Sequence, residues 1–538
     1  MTSRSSLLAR GYGRHAHAAW LVAALAFAAA VSLWQGKDVN WDLENYHFYN
    51  PYALLGGRIG WDIAPAQVQT YYNALLDLPF YAMVRANFPG WIIAVVLAVP
   101  AGLAMYLLAR ILPDLLPGTT PRPRIARGVA LAIGCTGSMG IALMGSTMNE
   151  WPGAMLVMAA LGLLLRNSGT GASRRAGAVL GAGMLAGMAS GLKLTAAPYA
   201  VGLCVALLAQ ALPVRIAARQ AFVFAAGTGI GFLATGGYWM ATLWRLFQSP
   251  VFPYFNAVIR SPWWEPINVP YRVWGPHKLR EWLTFPLDLF TTGTRYTELG
   301  LRDWRLPVVY VLGMVVIACA CQAWIVRRLA RDRPPVEAPE LRLESAHAWR
   351  LVWVFWIVSL LIWAVQHSYY RYVIPLELLS GALVVRLLAR VVRRELFAPV
   401  AVLFGLAIVF TARVPDWGRR HFDPRYFAIS APELPEKALV IVVGGDPLAY
   451  VIPYMRPDAR FVGYSNSVIH VDHDHKLAQL AREVIDRFDG PMFSLAFPQD
   501  DARIALARRN LVQDRARCAL VTTNMPASPI ELCRLERR

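Results

Sequence analysis

Lysine and acidic residues are scarce in this chain of 538 residues, which has only five lysines. Its 34 aspartates and glutamates stand against 53 basic residues, and charged residues make up only 16% of the total. Hydrophobic residues reach 56%, and the mean hydropathy is +0.39. This composition excludes an ordinary soluble globule and indicates an integral membrane protein.

No basic arm and no nucleic-acid-binding module accompany the formal charge of +19. The arginines instead lie in clusters between hydrophobic runs, for example at Arg122, Arg124 and Arg127. Such clusters are typical of the positive-inside rule, so we expect no nucleic-acid partner. The alternation of the clusters predicts a cytoplasmic N-terminus and a C-terminus outside. The membrane that we expect is a bacterial inner membrane. The first apolar run lacks a small-residue cleavage site and is therefore interpreted as a helix.

Apolar runs long enough to cross a bilayer recur along the first 412 residues. The run at 176–191 is short and rich in glycine and alanine. The fold class that we expect is a membrane all-α protein with about eleven transmembrane helices. The predicted segments are 18–35, 91–109, 128–146, 151–166, 176–191, 194–212, 221–240, 306–326, 351–366, 372–389 and 397–412.

The character of the sequence changes after this point. An apolar run over 438–443 ends in the turn Gly444-Gly445-Asp446-Pro447, and helical periodicity follows at 476–488. Strands alternating with helices predict a small α/β domain, so we divide the chain into a membrane module at 1–412 and a periplasmic domain at 413–538. The turn lacks the G-x-G-x-x-G spacing, and it either closes a buried strand or cradles a phosphate.

Two features of the tail suggest specific chemistry, a disulfide and a metal site. Cys518 and Cys533 lie in a segment placed in an oxidising compartment, so a disulfide between them is expected. Three histidines and two aspartates at 470–475 suggest a metal site, and alternatively Asp472 or Asp474 caps the following helix.

Chemically useful side chains concentrate in the loop after the first helix. The segment Trp41–Tyr49 holds Asp42, Glu44 and His47 among aromatic residues. Carboxylates are costly inside hydrocarbon but available at its edge, where one can accept a proton from an attacking hydroxyl. Two further apolar stretches in this loop, too short to span, suit helices in the membrane interface.

This loop, with its Leu-Leu-Gly-Gly stretch, resembles the first periplasmic loop of the GT-C superfamily of polytopic glycosyltransferases. The resemblance covers about residues 18–390 and implies a polyprenyl-phosphate-linked sugar as donor and a glycan, lipid or protein as acceptor. It implies that Asp42 is the catalytic base of an inverting transfer, with Glu44 as second choice. His47 is expected to contact substrate.

Three later positions match motifs of the same superfamily. Glu150 lies in the second outer turn, where an acid faces the same cavity. Lys193 lies in a Gly-Leu-Lys-Leu-Thr stretch, and Arg371 lies in the stretch His367–Pro375, which resembles an Arg-Tyr turn before a late helix. The resemblance implies that Lys193 and Arg371 bind the donor phosphate and that Glu150, Tyr370 and Tyr372 contact substrate. As alternatives, Lys193 is a snorkelling anchor and the tyrosines form an interfacial belt.

The sequence leaves open the need for a metal ion and two alternative functions. The first loop has no Asp-x-Asp pair, since position 44 is glutamate, so a divalent cation is possible but not required. A transporter or flippase of lipid-linked sugars is one rival function, although no internal repeat is found. A non-catalytic subunit of glycan assembly is the other.

Overall fold

The computed structural model describes residues 2–167, 172–210, 212–268, 274–291, 293–329, 343–470, 472–498, 500–525 and 529–538. Sixteen α-helices precede residue 412 in these ranges. They are α1 Thr2–Gln35, α2 Tyr49–Leu55, α3 Leu78–Arg85, α4 Gly90–Leu115, α5 Pro123–Cys135, α6 Ser138–Ala142, α7 Glu150–Arg166, α8 Ala172–Leu192, α9 Ala197–Leu208, α10 Val214–Phe247, α11 Asn256–Ile259, α12 Leu279–Thr284, α13 Arg305–Leu329, α14 Leu343–Gln366, α15 Ile374–Val391 and α16 Phe397–Thr411.

Every one of the eleven predicted segments contains a helix, which confirms the helical fold class. The third segment is broken between α5 and α6, near Gly137. By length and composition alone, six helices among the described residues can cross a membrane, so the full count of eleven spans stays a prediction. These six are His15–Gln35, Gly90–Leu115, Val214–Phe247, Arg305–Val326, Ala346–Gln366 and Tyr370–Val391.

The glycines that make the predicted segment 176–191 less hydrophobic than the other segments have a packing role. Helix α8 lies directly against α10, backbone to backbone. A Cβ atom on Gly187 would stand 2.1 Å from the carbonyl oxygen of Thr228, and one on Gly231 would stand 2.0 Å from that of Met184. Small residues at such contacts let helices approach closely in a bilayer, where packing replaces the hydrophobic effect. The glycines therefore belong to the helix contact.

The loop after α1 forms short helices, as expected, but its aromatic residues are more buried than interfacial helices require. Phe48 is fully buried and lies 4.7 Å, ring centre to ring centre, from Phe427. Phe80 in α3 contacts Tyr426 at 5.0 Å. These rings fill a core shared with the C-terminal part of the chain, so the loop is clamped between helices and sheet.

The C-terminal part contains a five-stranded sheet with helices. Strands β3 (Leu439–Val443), β4 (Arg460–Tyr464) and β5 (Met492–Ala496) are parallel. Strand β7 (Ile530–Arg537) runs antiparallel to both β5 and β6 (Leu511–Val521), which gives the order β4-β3-β5-β7-β6. A small separate ribbon pairs β1, after α1, with β2, after α16. The elements are β1 Lys37–Asp38, β2 Arg419–Arg420, β3 Leu439–Val443, β4 Arg460–Tyr464, α17 Lys476–Arg487, β5 Met492–Ala496, α18 Asp500–Ala507, β6 Leu511–Val521 and β7 Ile530–Arg537.

A buried ion pair joins the first loop to this sheet. Arg58 contacts Asp62 through Nε at 2.7 Å and Nη2 at 2.8 Å. The same guanidinium donates to the carbonyls of Pro457 and Ala459, both at 2.6 Å. Ile63 then adds a parallel bridge to the free edge of β4 at Val462. The loop thus satisfies an otherwise unpaired strand edge, which fixes the sheet against the membrane module.

Both contacts place the first loop and the sheet on the same side of the helices. Reporter fusions after residues 60 and 430 should therefore report the same compartment, and the arginine clusters predict that both are exported. The measurement is the activity of a reporter that works only outside the cytoplasm. Opposite signals from the two fusions would contradict the structure, whereas two cytoplasmic signals would reverse the orientation only.

Candidate active site

Four charged side chains from distant parts of the chain meet at the side of the bundle where the sheet lies. Arg371 Nη1 donates to Asp42 Oδ2 at 2.7 Å. Lys193 Nζ donates to Glu150 Oε1, also at 2.7 Å. Arg371 Nε lies 3.3 Å from the same Glu150 oxygen, close enough for attraction but not aligned as a hydrogen bond. We call these four residues the charged cluster.

Each member occupies the end of an element. Asp42 directly precedes a π-helical turn, Leu43–His47, and such turns are frequent at functional sites. Glu150 is the first residue of α7, where the helix dipole favours a negative charge. Lys193 directly follows α8, and Arg371 lies in the single turn that precedes α15. The four side chains therefore converge from the ends of four separate elements.

The charged cluster is balanced and largely shielded from water. Its two carboxylates and two cations sum to zero formal charge, and the side chains of Asp42 and Arg371 are 13% and 12% exposed. Burial raises the pKa of Asp42, but Arg371, together with His47 and Lys193, outweighs this effect and the net pKa is lowered. Asp42 is therefore an ionised carboxylate, poised to accept a hydrogen bond.

Aromatic rings surround the guanidinium. Arg371 Cζ lies 5.0 Å from the ring centre of Tyr369, 5.4 Å from that of Tyr372 and 5.8 Å from that of Trp417. The ammonium of Lys193 lies 5.7 Å from the Tyr372 ring. Cation–π attraction of this kind holds both cations in place without further neutralising them. Tyr372 thus lies beside both cations of the charged cluster.

A histidine and two polar side chains form a second group beside it. His47 Nδ1 lies 2.7 Å from Asp77 Oδ1, and Asn149 Nδ2 donates to the same oxygen at 2.5 Å. His47 Nε2 is buried and has no hydrogen-bond partner among the described residues. A carboxylate on one ring nitrogen fixes the tautomer and leaves the other available. Sequence reasoning missed Asp77; its position just before Leu78-Pro79, a helix start, was the available signal.

Two predicted site residues point elsewhere. Glu44 is buried near Lys37, Asp38 and Arg420, and its Oε1 has no hydrogen-bond partner in the part of the chain that the structure describes. Tyr370 is fully buried with its ring 6.4 Å from that of Trp363, inside the helical core. The structure therefore brings Asp42, Glu150, Lys193, Arg371 and Tyr372 together, with His47 beside them, and separates Glu44 and Tyr370 from this group.

Of the predictions for the tail, the structure confirms the disulfide but neither the metal site nor the aspartate cap. The disulfide between Cys518 and Cys533 is confirmed. The cap of α17 is neither Asp472 nor Asp474, as the sequence had suggested, but His475, whose ring nitrogen accepts from the backbone N–H of Ala478. Among the described residues, the segment 470–475 contains no three ligands close enough to hold one ion.

The charged cluster itself is poorly suited to a divalent cation. The candidate ligands are the carboxylates of Asp42 and Glu150, but oxygens of both are already within 2.7 Å of a guanidinium or ammonium nitrogen. A metal ion here would face two positive charges at once.

The buried carboxyl of Glu44 makes stability depend on pH. Burial raises the pKa of Glu44 to about 8. Because this pKa is raised, the contribution of Glu44 to stability is fully present below its unfolded pKa of about 4.3 and is lost as the pH rises to about 8. We expect Glu44→Gln to raise the melting temperature relative to wild type by a margin that grows between pH 5 and pH 8.5. Thermal unfolding in detergent measures this, with the exposed Glu483→Gln as control; a margin independent of pH would contradict it.

Solved structures similar to this chain include those of ArnT and AftD. ArnT from Cupriavidus metallidurans, bound to undecaprenyl phosphate, matches with a TM-score of 0.51 and 12% identity over 96% of this chain and 97% of that one. The arabinofuranosyltransferase AftD from mycobacteria matches with a TM-score of 0.55 and 14% identity, over 96% of this chain and 40% of AftD. No family model and no curated protein sequence matches. These similarities confirm that the chain is a multi-pass membrane protein with the GT-C fold.

Proposed function

We propose that this protein is a glycosyltransferase that moves a sugar from a polyprenyl-phosphate donor to an acceptor at the outer face of the membrane. The observation that carries this proposal is the charged cluster, in which two cations and two carboxylates form adjacent ion pairs, each at 2.7 Å. That combination supplies both requirements of the transfer, a site for the departing phosphate and an acceptor for a proton. The fold shared with a protein solved with undecaprenyl phosphate supports the choice of donor.

Arg371 and Lys193 are assigned to the donor phosphate. As the sugar leaves, negative charge grows on that phosphate, and fixed cations in a water-poor site stabilise it strongly. The planar guanidinium offers paired donors to two phosphate oxygens. The cavity beside Glu150, Lys193 and Tyr372 measures about 20 Å³, room for about one water molecule. Donor binding therefore requires the charged cluster to open, and the phosphate to replace a carboxylate beside at least one cation.

Asp42 is assigned to the acceptor. It takes the proton of the attacking hydroxyl while the sugar carbon is displaced from the opposite side, which inverts the anomeric centre in one step. Its contact with Arg371 couples this event to the departure of the phosphate. While the pair is intact, Arg371 lowers the pKa of Asp42 and makes it a weak base. When the guanidinium turns to the phosphate, that pKa rises and the carboxylate becomes a better proton acceptor.

The neighbours of the charged cluster take supporting roles. Glu150 holds both cations in register through one carboxylate oxygen. Tyr372 lies beside both cations, where its ring is suited to contact the sugar. His47, oriented by Asp77, presents a free nitrogen and is assigned to a substrate hydroxyl. A glycan, lipid or protein acceptor all satisfy this chemistry, and no nucleic acid is expected.

Turnover and donor affinity should respond differently to the two partners of the central ion pair. Asp42→Asn keeps size and polarity but removes the proton acceptor, and loss of a general base typically costs about 10²–10⁴-fold in turnover. Donor affinity should persist or increase, because Arg371 loses its competing carboxylate. Arg371→Lys keeps the charge but removes the paired donors, so donor affinity should fall. Product formation from polyprenyl-phosphate sugars and donor titration measure both effects.

Glu44→Gln is the matched control, because Glu44 lies in the same turn of the chain but faces away from the charged cluster. Its turnover should stay near that of wild type. Normal turnover in Asp42→Asn, with collapse in Glu44→Gln, would move the base to Glu44. Normal turnover in both would remove this loop from the chemistry and favour the transporter.

A further inference from the structure

A pocket of about 380 Å³ lies in the C-terminal sheet, apart from the charged cluster. It opens where β3, β4 and β5 end, between the turn Gly444–Asp446 and helix α18. Ala502 and Ala505 of α18 form one wall. The pocket is large enough for a monosaccharide, and nothing in the charged cluster uses it.

The position of the pocket follows from the topology of the strands. After β3 the chain moves to one side to form β4, and it then crosses over to the other side of β3 to form β5. The two connections leave a crevice between the carboxyl ends of β3 and β5. Open parallel sheets bind ligands at such a switch point, because the diverging loops leave a concave surface there.

The turn after β3 keeps this crevice open. Gly444 has a backbone φ of +98°, which glycine adopts at no steric cost. A Cβ atom on Gly445 would meet no other atom within 4 Å, so the backbone here borders empty space. A turn whose only task was to close a buried strand would not need two adjacent residues without side chains at the wall of a pocket.

The lining carries charges of both signs. Arg508 and Asp446 both line the pocket, and neither has an ion-pair partner among the described residues. His470 lines the mouth and lies 3.3 Å from the exposed Asp472. Ser465, after β4, adds a hydroxyl. A guanidinium and an imidazole suit an anionic group, whereas a free carboxylate suits the hydroxyl groups of a sugar.

We propose that this pocket binds an acidic sugar unit of the acceptor, with its carboxylate or phosphate ester at Arg508 and His470 and its hydroxyls at Asp446 and Ser465. The assignment of this ligand to the acceptor rests on the proposed transferase function. The pocket gives the C-terminal part a role in substrate selection that the charged cluster, occupied by the donor phosphate, does not fill.

One side chain connects this pocket to the first loop. Gln67, in the short helix Gln67–Tyr71, donates to the carbonyl of Gly445 at 2.7 Å and accepts from Ser467 Oγ at 2.8 Å. The same loop contains Asp42 and Asp77. Gln67 thereby connects the wall of the pocket, where the acceptor is proposed to bind, to the loop that carries the proposed base.

The test uses the full-length protein in lipid nanodiscs without donor, with saturation-transfer NMR and titration to measure binding. The probes are glucuronate, glucose 6-phosphate and neutral glucose, which separate a carboxylate from a phosphate ester. We expect at least one acidic probe to bind and glucose to bind at least ten times more weakly. Arg508→Gln should weaken the acidic probe by about 10-fold or more, since it removes a charge-assisted contact.

Two further variants keep the test independent of folding. Gly445→Val places a side chain in open space at the pocket wall and should block binding while the melting temperature stays unchanged. Arg487→Gln, an exposed change in the last turn of α17, should leave binding intact. Absence of binding by both acidic probes, equal binding of glucose, or binding unaffected by both pocket variants overturns the proposal. Because donor and turnover are not involved, these outcomes are separate from a failure of Asp42→Asn to lower activity.

Discussion

The ion pair between Asp42 and Arg371 joins residues 329 positions apart in the chain, at a distance of 2.7 Å. A buried charge without a partner is strongly unfavourable, so each of these two residues stabilises the buried charge of the other. That requirement fixes where the first loop lies relative to the turn before α15. The ion pair between Glu150 and Lys193 fixes the start of α7 relative to the end of α8 in the same way.

The rest of the structure keeps these ends in place. The glycine contacts between α8 and α10 set the position of Lys193 at the end of α8, because backbones that touch cannot slide without clashes. Arg58 and Asp62 fix the middle of the first loop to the edge of β4, and the ribbon of β1 and β2 holds its beginning. The sheet therefore acts as a cover that orders the loop carrying Asp42, and it brings its own pocket to the same side of the membrane.

The members of the charged cluster could be named from sequence, because each lies in a segment that resembles a GT-C motif. Lys193 between apolar runs also required a partner or a place near the surface, and its partner is Glu150. The sequence could not show in which direction each side chain points. Asp42 and Glu44 are two residues apart, but the π-helical turn sends one to Arg371 and the other to the side of Lys37 and Arg420.

Other contacts could not be predicted from the sequence, because they depend on how distant segments pack together. Asp77 is an ordinary helix-start acid until the fold brings His47 against it, and Arg58–Asp62 has the spacing of any helix-surface pair although it is buried and docks a sheet. The alternation of strands and helices predicted the C-terminal sheet, but not that its free edge would be covered by the first loop. Long-range pairing of polar groups is decided by packing, which local patterns do not contain.

The most direct test of the central claim is whether the charged cluster recognises a lipid phosphate. Native mass spectrometry of the wild-type protein can compare binding of undecaprenyl phosphate with binding of undecaprenol, which has the same chain and no phosphate. The account predicts preferential binding of the phosphate, lost when Lys193→Met and Arg371→Met are combined and retained when Lys476→Met and Arg487→Met are combined at the surface of α17. Equal binding of the alcohol and the phosphate, or a preference that survives the loss of both cluster cations, would contradict it.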